Sequence, residues 1–313
     1  MIIKDFQTFL NERNGGLHKV LCTVAMSQDD HRYITKDEYH VSNYMKLFTK
    51  GDKPYKVTNF PIINYCNIHT QKLMDAGTST DLIYNKIDAK MRVASKIDWH
   101  KIHKDNPNVP KTVWKEEDLD QLEFPIIAKP DNRYSGLGIV KFDTLEDAKD
   151  ADLSDYTVFS EKVDIAEEHR IIFWRGKTLM WVQRVPANEE TKKMTKAKDD
   201  KLKFNYVLKN IDKMPEEWHE VFVPFIDEHN DLDIYSIDLM IDEDGKPWVV
   251  EMSSEFGVPF GVMALIYKEV YQDYYGNKLN LTDEEQIDMY REKDIDVTIA
   301  SDKKRFSVED GKA

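Results

Sequence analysis

No apolar run in the sequence approaches the roughly 20 residues that a membrane span requires. The opening residues, MIIKDFQTFLNERNGG, contain no apolar signal-peptide core. Only two cysteines occur, Cys22 and Cys66, too few and too far apart for a disulfide framework or a zinc knuckle. These absences together predict a cytoplasmic protein without a membrane partner. Positive charge is also short: 44 Lys and Arg against 58 Asp and Glu leave a net charge of −14, which argues against a general nucleic-acid binder. Repeats, low-complexity stretches, a Walker A loop and a Rossmann fingerprint are all missing. The balance of 41% hydrophobic and 33% charged residues is that of an ordinary globular chain, and 313 residues suffice for one large lobe or two to three small ones.

The most informative stretch is Asp233 to Gly257, DIYSIDLMIDEDGKPWVVEMSSEFG. Two apolar, alternating runs, Tyr235–Ile241 and Trp248–Met252, flank Asp244-Gly245, the strongest short-range hairpin signal. A two-residue type I′ turn there pairs Glu243 with Lys246. Counting back along that ladder sets Asp238 opposite Glu251 on one face of the sheet. Like charges so placed repel, so they take a cation between them or one holds a proton. Hard divalent ions with oxygen ligands suit such a pair, Mg²⁺ bridging to phosphates above all. The competing reading is a solvated sheet face carrying two unrelated acids.

Upstream, the first third reads as a small α/β unit. Lys19–Met26 and Pro61–Tyr65 are strand candidates, and Glu38–Lys50 has apolar residues at loose helical spacing (Tyr39, Val41, Tyr44, Met45, Phe48). A helix is expected over Asp88–Asp105, capped by Asp88, with Ile87, Met91, Ala94, Ile97 and Ile102 on its core face. His100 and His103 lie one turn apart, without Cys or carboxylate partners at ligand spacing. The alternatives for this pair are a shared metal and, as for His18, His31, His40 and His69, surface or internally satisfied histidines, and the missing partners favour the latter.

Phe124–Phe142, FPIIAKPDNRYSGLGIVKF, reads as strand, loop, strand. Lys129 closes the first strand, and Ser135, Gly136 and Gly138 belong to a loop whose backbone amides can cradle phosphates. The same residues also serve ordinary tight turns. Further on, Tyr156–Lys162 and Arg170–Trp174 alternate as strands around SEKVDIAEEHR. There Glu161 and Glu168 bracket a short loop just before Arg170. A carboxylate so placed can hold ribose hydroxyls, and an arginine can hold developing negative charge; surface ion pairs are the alternative.

In this order, Lys129, the Ser-Gly-Leu-Gly loop, Glu161-Lys162-Val163, Glu168 with Arg170, Asp238 and Glu251 resemble the ATP-grasp superfamily. The likeness spans Lys86 to Gly257. It is nearest to D-alanine–D-alanine ligases, glutathione synthetases and the ribosomal-S6-modification type. The resemblance implies an α+β fold in which two lobes clasp ATP, preceded by a small α/β N-terminal domain. It implies ATP and Mg²⁺ as cofactors, phosphorylation of a substrate carboxylate, and attack by an amine on the acylphosphate. It puts Lys129 on the α/β-phosphates and the adenine edge, joined by an earlier lysine, Lys90 (or Lys86). The segment Glu161, Lys162 and Val163 becomes the adenine-reading hinge, and Glu168 the ribose ligand. Asp238 and Glu251 match the family's metal ligands, with Ser253 where the family carries asparagine. Ser236 stands where the D-alanine ligases carry arginine, so Arg170 or Arg184 must supply charge to the transferred phosphoryl group.

The domains expected on this basis are residues 1–85, a small lobe over 86–160, a large lobe over 161–300 and a frayed tail over 301–313. The expected activity is ADP-forming carboxylate–amine ligation with small-molecule or peptide substrates. Two alternatives are a nucleotide-binding protein with lost or regulatory activity and a ligase acting on a nucleic-acid-borne acceptor. The second rests on the lysine-rich stretch Asn188–Asn210, with Lys192, Lys193, Lys196, Lys198, Lys201 and Lys203. Such a loop is either a solvated insertion or a positive arm that closes over the nucleotide or draws an anionic acceptor. Beyond it, Pro215 opens a helix with Trp218, Phe222, Phe225 and Ile226 inward, followed by helices over Gly261–Tyr274 and Thr282–Asp294.

Overall fold

The computed structural model describes residues 22–25, 45–48, 61–64, 67–130, 138–186, 204–254, 266, 269–270, 273–274, 295–300 and 305–308. They form three sheets with flanking helices, and no helix among them is long and apolar enough to cross a membrane.

The first sheet is parallel: β1 (Cys22–Ala25) lies between β2 (Met45–Phe48) and β3 (Ile62–Asn64), and β4 (Ile83–Tyr84) follows β3. The expected helix over Glu38–Lys50 therefore fails at 45–48, where a short apolar run fits a parallel strand better than its loose helical spacing suggests. Helix α1 (Asn67–Asp75) follows β3. The helix expected over Asp88–Asp105 is two, α2 (Ile87–Ala94) and α3 (Lys96–His103). Ser95 breaks them with an extended backbone and caps α3, its hydroxyl accepting from the Asp98 amide. Asp88 is no cap, and the break resets the helical phase. The buried face is Ala89, Lys90 and Val93, then Trp99, His100 and His103, while Met91 and Ile102 are exposed.

The second sheet is antiparallel, in the order β5 (Thr112–Val113), β8 (Val158–Glu161), β6 (Ile126–Lys129), β7 (Val140–Phe142). Ile126 and Ala128 enter a core with Leu119, Phe142, Ala148 and Phe159. Alternation along β6 turns Lys129 to the opposite face. Helix α4 (Leu145–Lys149) is fixed by a reciprocal Thr144–Asp147 capping box.

The third sheet has seven strands in the order β13 (Pro247–Ser253), β12 (Ile234–Asp242), β9 (Ile165–Trp174), β10 (Lys177–Pro186), β11 (Phe204–Lys209), β14 (Ile295–Ala300), β15 (Arg305–Val308). One face packs Ile171, Phe173, Trp181, Ile237, Leu239 and Val249 against Trp218, Phe222 and Phe225 of α5 (Glu216–Glu228), joined by Val93 of α2 and Trp99 of α3. The expected inward set on α5 is borne out. Residues 305–308 of the expected frayed tail are instead a strand paired with β14. Their short alternation beside the charged Ser301–Lys304 segment had the look of a solvated end.

Two devices fix the start of β12. Asn85, at φ 61°, accepts with Oδ1 from the amides of Asp233 and Ile234 and donates to the Ile234 carbonyl. Arg175, in the β9–β10 turn, donates to Asp233 and Asp273 at 2.7 Å each. Its guanidinium also lies 5.0 Å from the Trp174 ring centre, and Tyr84 donates to Asp273 at 2.8 Å.

Candidate active site

The β12–β13 hairpin brings Asp238 directly opposite Glu251 by a different route from the one the sequence suggests. Its loop has three residues, Glu243 to Gly245. Asp242 Oδ1 accepts from the amides of Asp244 and Lys246, Gly245 donates to the Asp242 carbonyl, and Gly245 sits at φ 83°. This is a type I turn ended by a left-handed glycine, not a type I′ turn. The tip pairs Ile241 with Pro247 and Leu239 with Val249, a ladder that would set Asp238 against Val250. A bulge leaves Val250 unpaired and restores Glu251 to the place facing Asp238. The two departures cancel.

Next to this pair, Arg170 faces Asp238 from β9 and grips it bidentately, Nε on Oδ1 and Nη2 on Oδ2, both at 2.7 Å. Glu168, two residues along the same face, pairs with Arg184 of β10. The loop expected between Glu161 and Glu168 is shorter, residues 162–164, because β9 begins at Ile165 and already contains Glu168. Burial raises the Glu168 carboxyl above its usual range, against the pull of Arg184. Across four strands, one sheet face thus carries Arg184 opposite Glu168, then Arg170 two residues along β9, opposite Asp238, which faces Glu251. The face behind them packs into the apolar core, and along their own face burial resumes at Val182, Ile172 and Ser236.

Glu251 is exposed by surface area yet hemmed by protein, as a side chain on a concave wall is. Its carboxyl is pushed up by burial and by the Asp238 charge, and drawn down by Lys96, Lys129 and Arg170. Asp238 stands directly opposite, so like-charge repulsion adds to burial in the same direction. Lys129 is half-exposed, and its ammonium is lowered by burial, opposed by Glu251 and Asp238 and reinforced by Lys96. The lysine at the end of β6 is therefore within electrostatic reach of the carboxylates on another sheet. Lys96, the first residue of α3, joins the same group. The sequence reading missed it and chose Lys90, whose buried ammonium donates to the Asn64 carbonyl at 3.0 Å. The missed signal was Ser95: a capping residue in mid-helix starts a second helix and turns Lys96 to another face. His100, one turn further along α3, is buried and held well below its normal pKa by burial, then by Lys129, His103 and Lys96.

In the segment from Glu161 to Val163, the Glu161 amide donates to Lys111 O at 2.9 Å and the Lys162 amide to Pro125 O at 3.0 Å. The Glu161 carboxylate accepts from the Glu123 amide, and Lys162 pairs with Asp164. Gly138 turns at φ 79° just before β7, whereas Ser135, Gly136 and the 192–203 lysines lie outside the described residues. Ser253 faces Ser236, whose hydroxyl donates to the Ser253 carbonyl at 3.4 Å. Among the described residues no cluster of three or more His, Cys, Asp or Glu gathers as a metal site. Two opposed carboxylates, one raised by the other's charge, nevertheless suit an ion that takes its remaining ligands from phosphates and water.

No protein-family profile and no curated protein matches the sequence. Solved structures do. The ATP-grasp ligase PsnB complexed with minimal precursor matches with TM-score 0.56 at 12% identity, over 80% of this chain and 98% of that one. The same ligase with a phosphomimetic variant of that precursor, Mg and ADP gives 0.56 and 12%, over 82% and 100%. D-alanine–D-alanine ligase from Bacillus anthracis complexed with ATP gives 0.54 and 13%, over 87% and 98%. The chain has the ATP-grasp fold.

Proposed function

We propose that the protein is an ATP-dependent ligase that joins a carboxylate to an amine through an acylphosphate, releasing ADP and phosphate. The observation that carries this reading is the facing pair Asp238 and Glu251, with Lys129 and Lys96 within electrostatic reach of Glu251. Asp238 and Glu251, with Ser253 as a weaker donor, would hold Mg²⁺, which when bound neutralises phosphate charge. Lys129 and Lys96 would contact the phosphates. The amides of Glu161 and Lys162 are already bonded, which leaves the Lys162 carbonyl and the Val163 amide to read adenine. Glu168 would take the ribose hydroxyls and share them with Arg184. Arg170 and Arg184 would bear on the transferred group. A substrate carboxylate oxygen then attacks the γ-phosphorus and ADP leaves; the amine attacks the acyl carbon, loses a proton and expels phosphate. Positioning and charge neutralisation supply the rate, so no acid–base triad is required.

On this reading the lobes run over 86–160 and 161–300, after a small domain over 1–85, with the terminal strands extending the large lobe. The test is ADP release with pools of amino acids and short peptides. ADP formation that needs both a carboxylate and an amine supports ligation. Nucleotide binding without ADP formation would favour a regulatory protein, a reading that draws on Ser253 and on the engagement of Asp238 by Arg170.

A further inference from the structure

We infer that Arg170 is a built-in substitute for the metal ion, so that a divalent cation reaches Asp238 only after an anion has drawn the guanidinium away. The inference rests on the nucleotide-and-metal reading above. Its basis is the geometry of the pair. A carboxylate has about four lone-pair positions, and a forked guanidinium takes the inner one on each oxygen. Arg170 does this to Asp238 at 2.7 Å on both sides, with side-chain exposures of only 19% and 15%. A divalent ion approaching the remaining outer positions meets a fixed positive charge, in surroundings that screen it poorly. Glu251 alone then faces the entering ion. The same fork that matches a carboxylate also matches a phosphate, so a bound nucleotide offers Arg170 a second partner and frees Asp238.

Metal binding and nucleotide binding are thereby coupled in one direction and, by linkage, in the other. The cation enters with the nucleotide, not ahead of it. Between turnovers the two strands are held together by a pairing that needs no ion. Arg184 with Glu168 repeats the motif one strand away, but that acid is not opposite a second carboxylate and is no part of the device.

The test is Mn²⁺ binding to the full chain without nucleotide, followed by the electron-spin signal of free Mn²⁺. Arg170→Met should tighten nucleotide-free Mn²⁺ binding at least about tenfold over wild type, as expected if the pair is open less than a tenth of the time. Arg170→Lys, which keeps charge but loses the fork, should fall between them. Adding Asp238→Asn to Arg170→Met should abolish the gain. Equal Mn²⁺ affinity in wild type and Arg170→Met, or a gain that survives Asp238→Asn, overturns the inference. Should Arg170→Met not fold, the same comparison is made with Arg170→Lys alone, where unchanged affinity is the overturning result. Wild-type binding of ADP with Mg²⁺, measured in parallel, tests the underlying reading. A protein that binds no nucleotide yet gains Mn²⁺ affinity on losing Arg170 keeps the arginine–metal exclusion and loses the ligase.

Discussion

Asp238 and Glu251 stand directly opposite one another because a three-residue turn and an unpaired Val250 offset each other. Either irregularity alone would put a different residue against Asp238. Two carboxylates brought together this way repel unless a cation or a proton intervenes. Asp238→Asn should leave the fold intact by circular dichroism and reduce Mg²⁺-dependent ADP formation at least about 100-fold. Wild-type turnover in that variant would place the metal elsewhere.

Lys129, Lys96 and Lys90 make an informative series. Mg·ATP at about 100 times its Kd should stabilise the wild type by about 2.7 kcal/mol. Lys129→Ala and Lys96→Met should abolish most of that thermal shift. Lys90→Met should keep it while lowering the baseline melting temperature, because the lost ammonium leaves the buried Asn64 carbonyl without this donor. A melting shift that vanishes in Lys90→Met and survives in Lys96→Met would reverse the assignment.

The buried pair His103 and His229 predicts acid sensitivity. Their Nε2 atoms are 2.9 Å apart, so one ring donates and the other accepts, and both cannot be charged. Burial and then His229 bring His103 down from 6.5 to about 4. The unfolded chain therefore binds more protons than the folded one between those values. The contribution is whole above pH 6.5 and is lost as pH falls toward 4, at most about 3 kcal/mol for this group. The denaturant midpoint should fall with acid across that window in the wild type and fall less in His103→Leu.

Gly176 and Gly245 separate backbone strain from packing. Both have positive φ, 80° and 83°. A Cβ on Gly176 would meet Ile226 Cγ2 at 2.9 Å, whereas one on Gly245 meets nothing within 4 Å. Gly245→Ala should cost about 1 kcal/mol from strain alone, and Gly176→Ala about 2–3 kcal/mol, in urea unfolding. Equal costs would mean that α5 yields freely.

Much of this was legible where the pattern was long and two-sided. Tyr235–Ile241 and Trp248–Met252 alternate clearly enough to declare both strands and the shared face of their acids. The turn was misread because Asp242 closes the loop through its side chain, a bond no period reveals. In α2 and α3 the apolar spacing of Ile87, Met91, Ala94, Ile97 and Ile102 suggested one continuous face. Ser95 ended it, and burial passed to Lys90, His100 and His103, polar residues that a hydrophobic count discards. Lys96 was hidden by the same break. Its electrostatic reach to Lys129 and Glu251 joins elements far apart in the chain, which local sequence does not encode.

The unpaired Val250 has one more outcome. It acts as a slack link between the hairpin's tip and its working end. Residues 243–245 can be exchanged for another loop without moving the acids only where the pairing of Asp242 with Lys246 is kept. Deleting Val250 would remove the bulge and leave a regular ladder, with Glu251 still facing Asp238 and Met252 still facing Ile237.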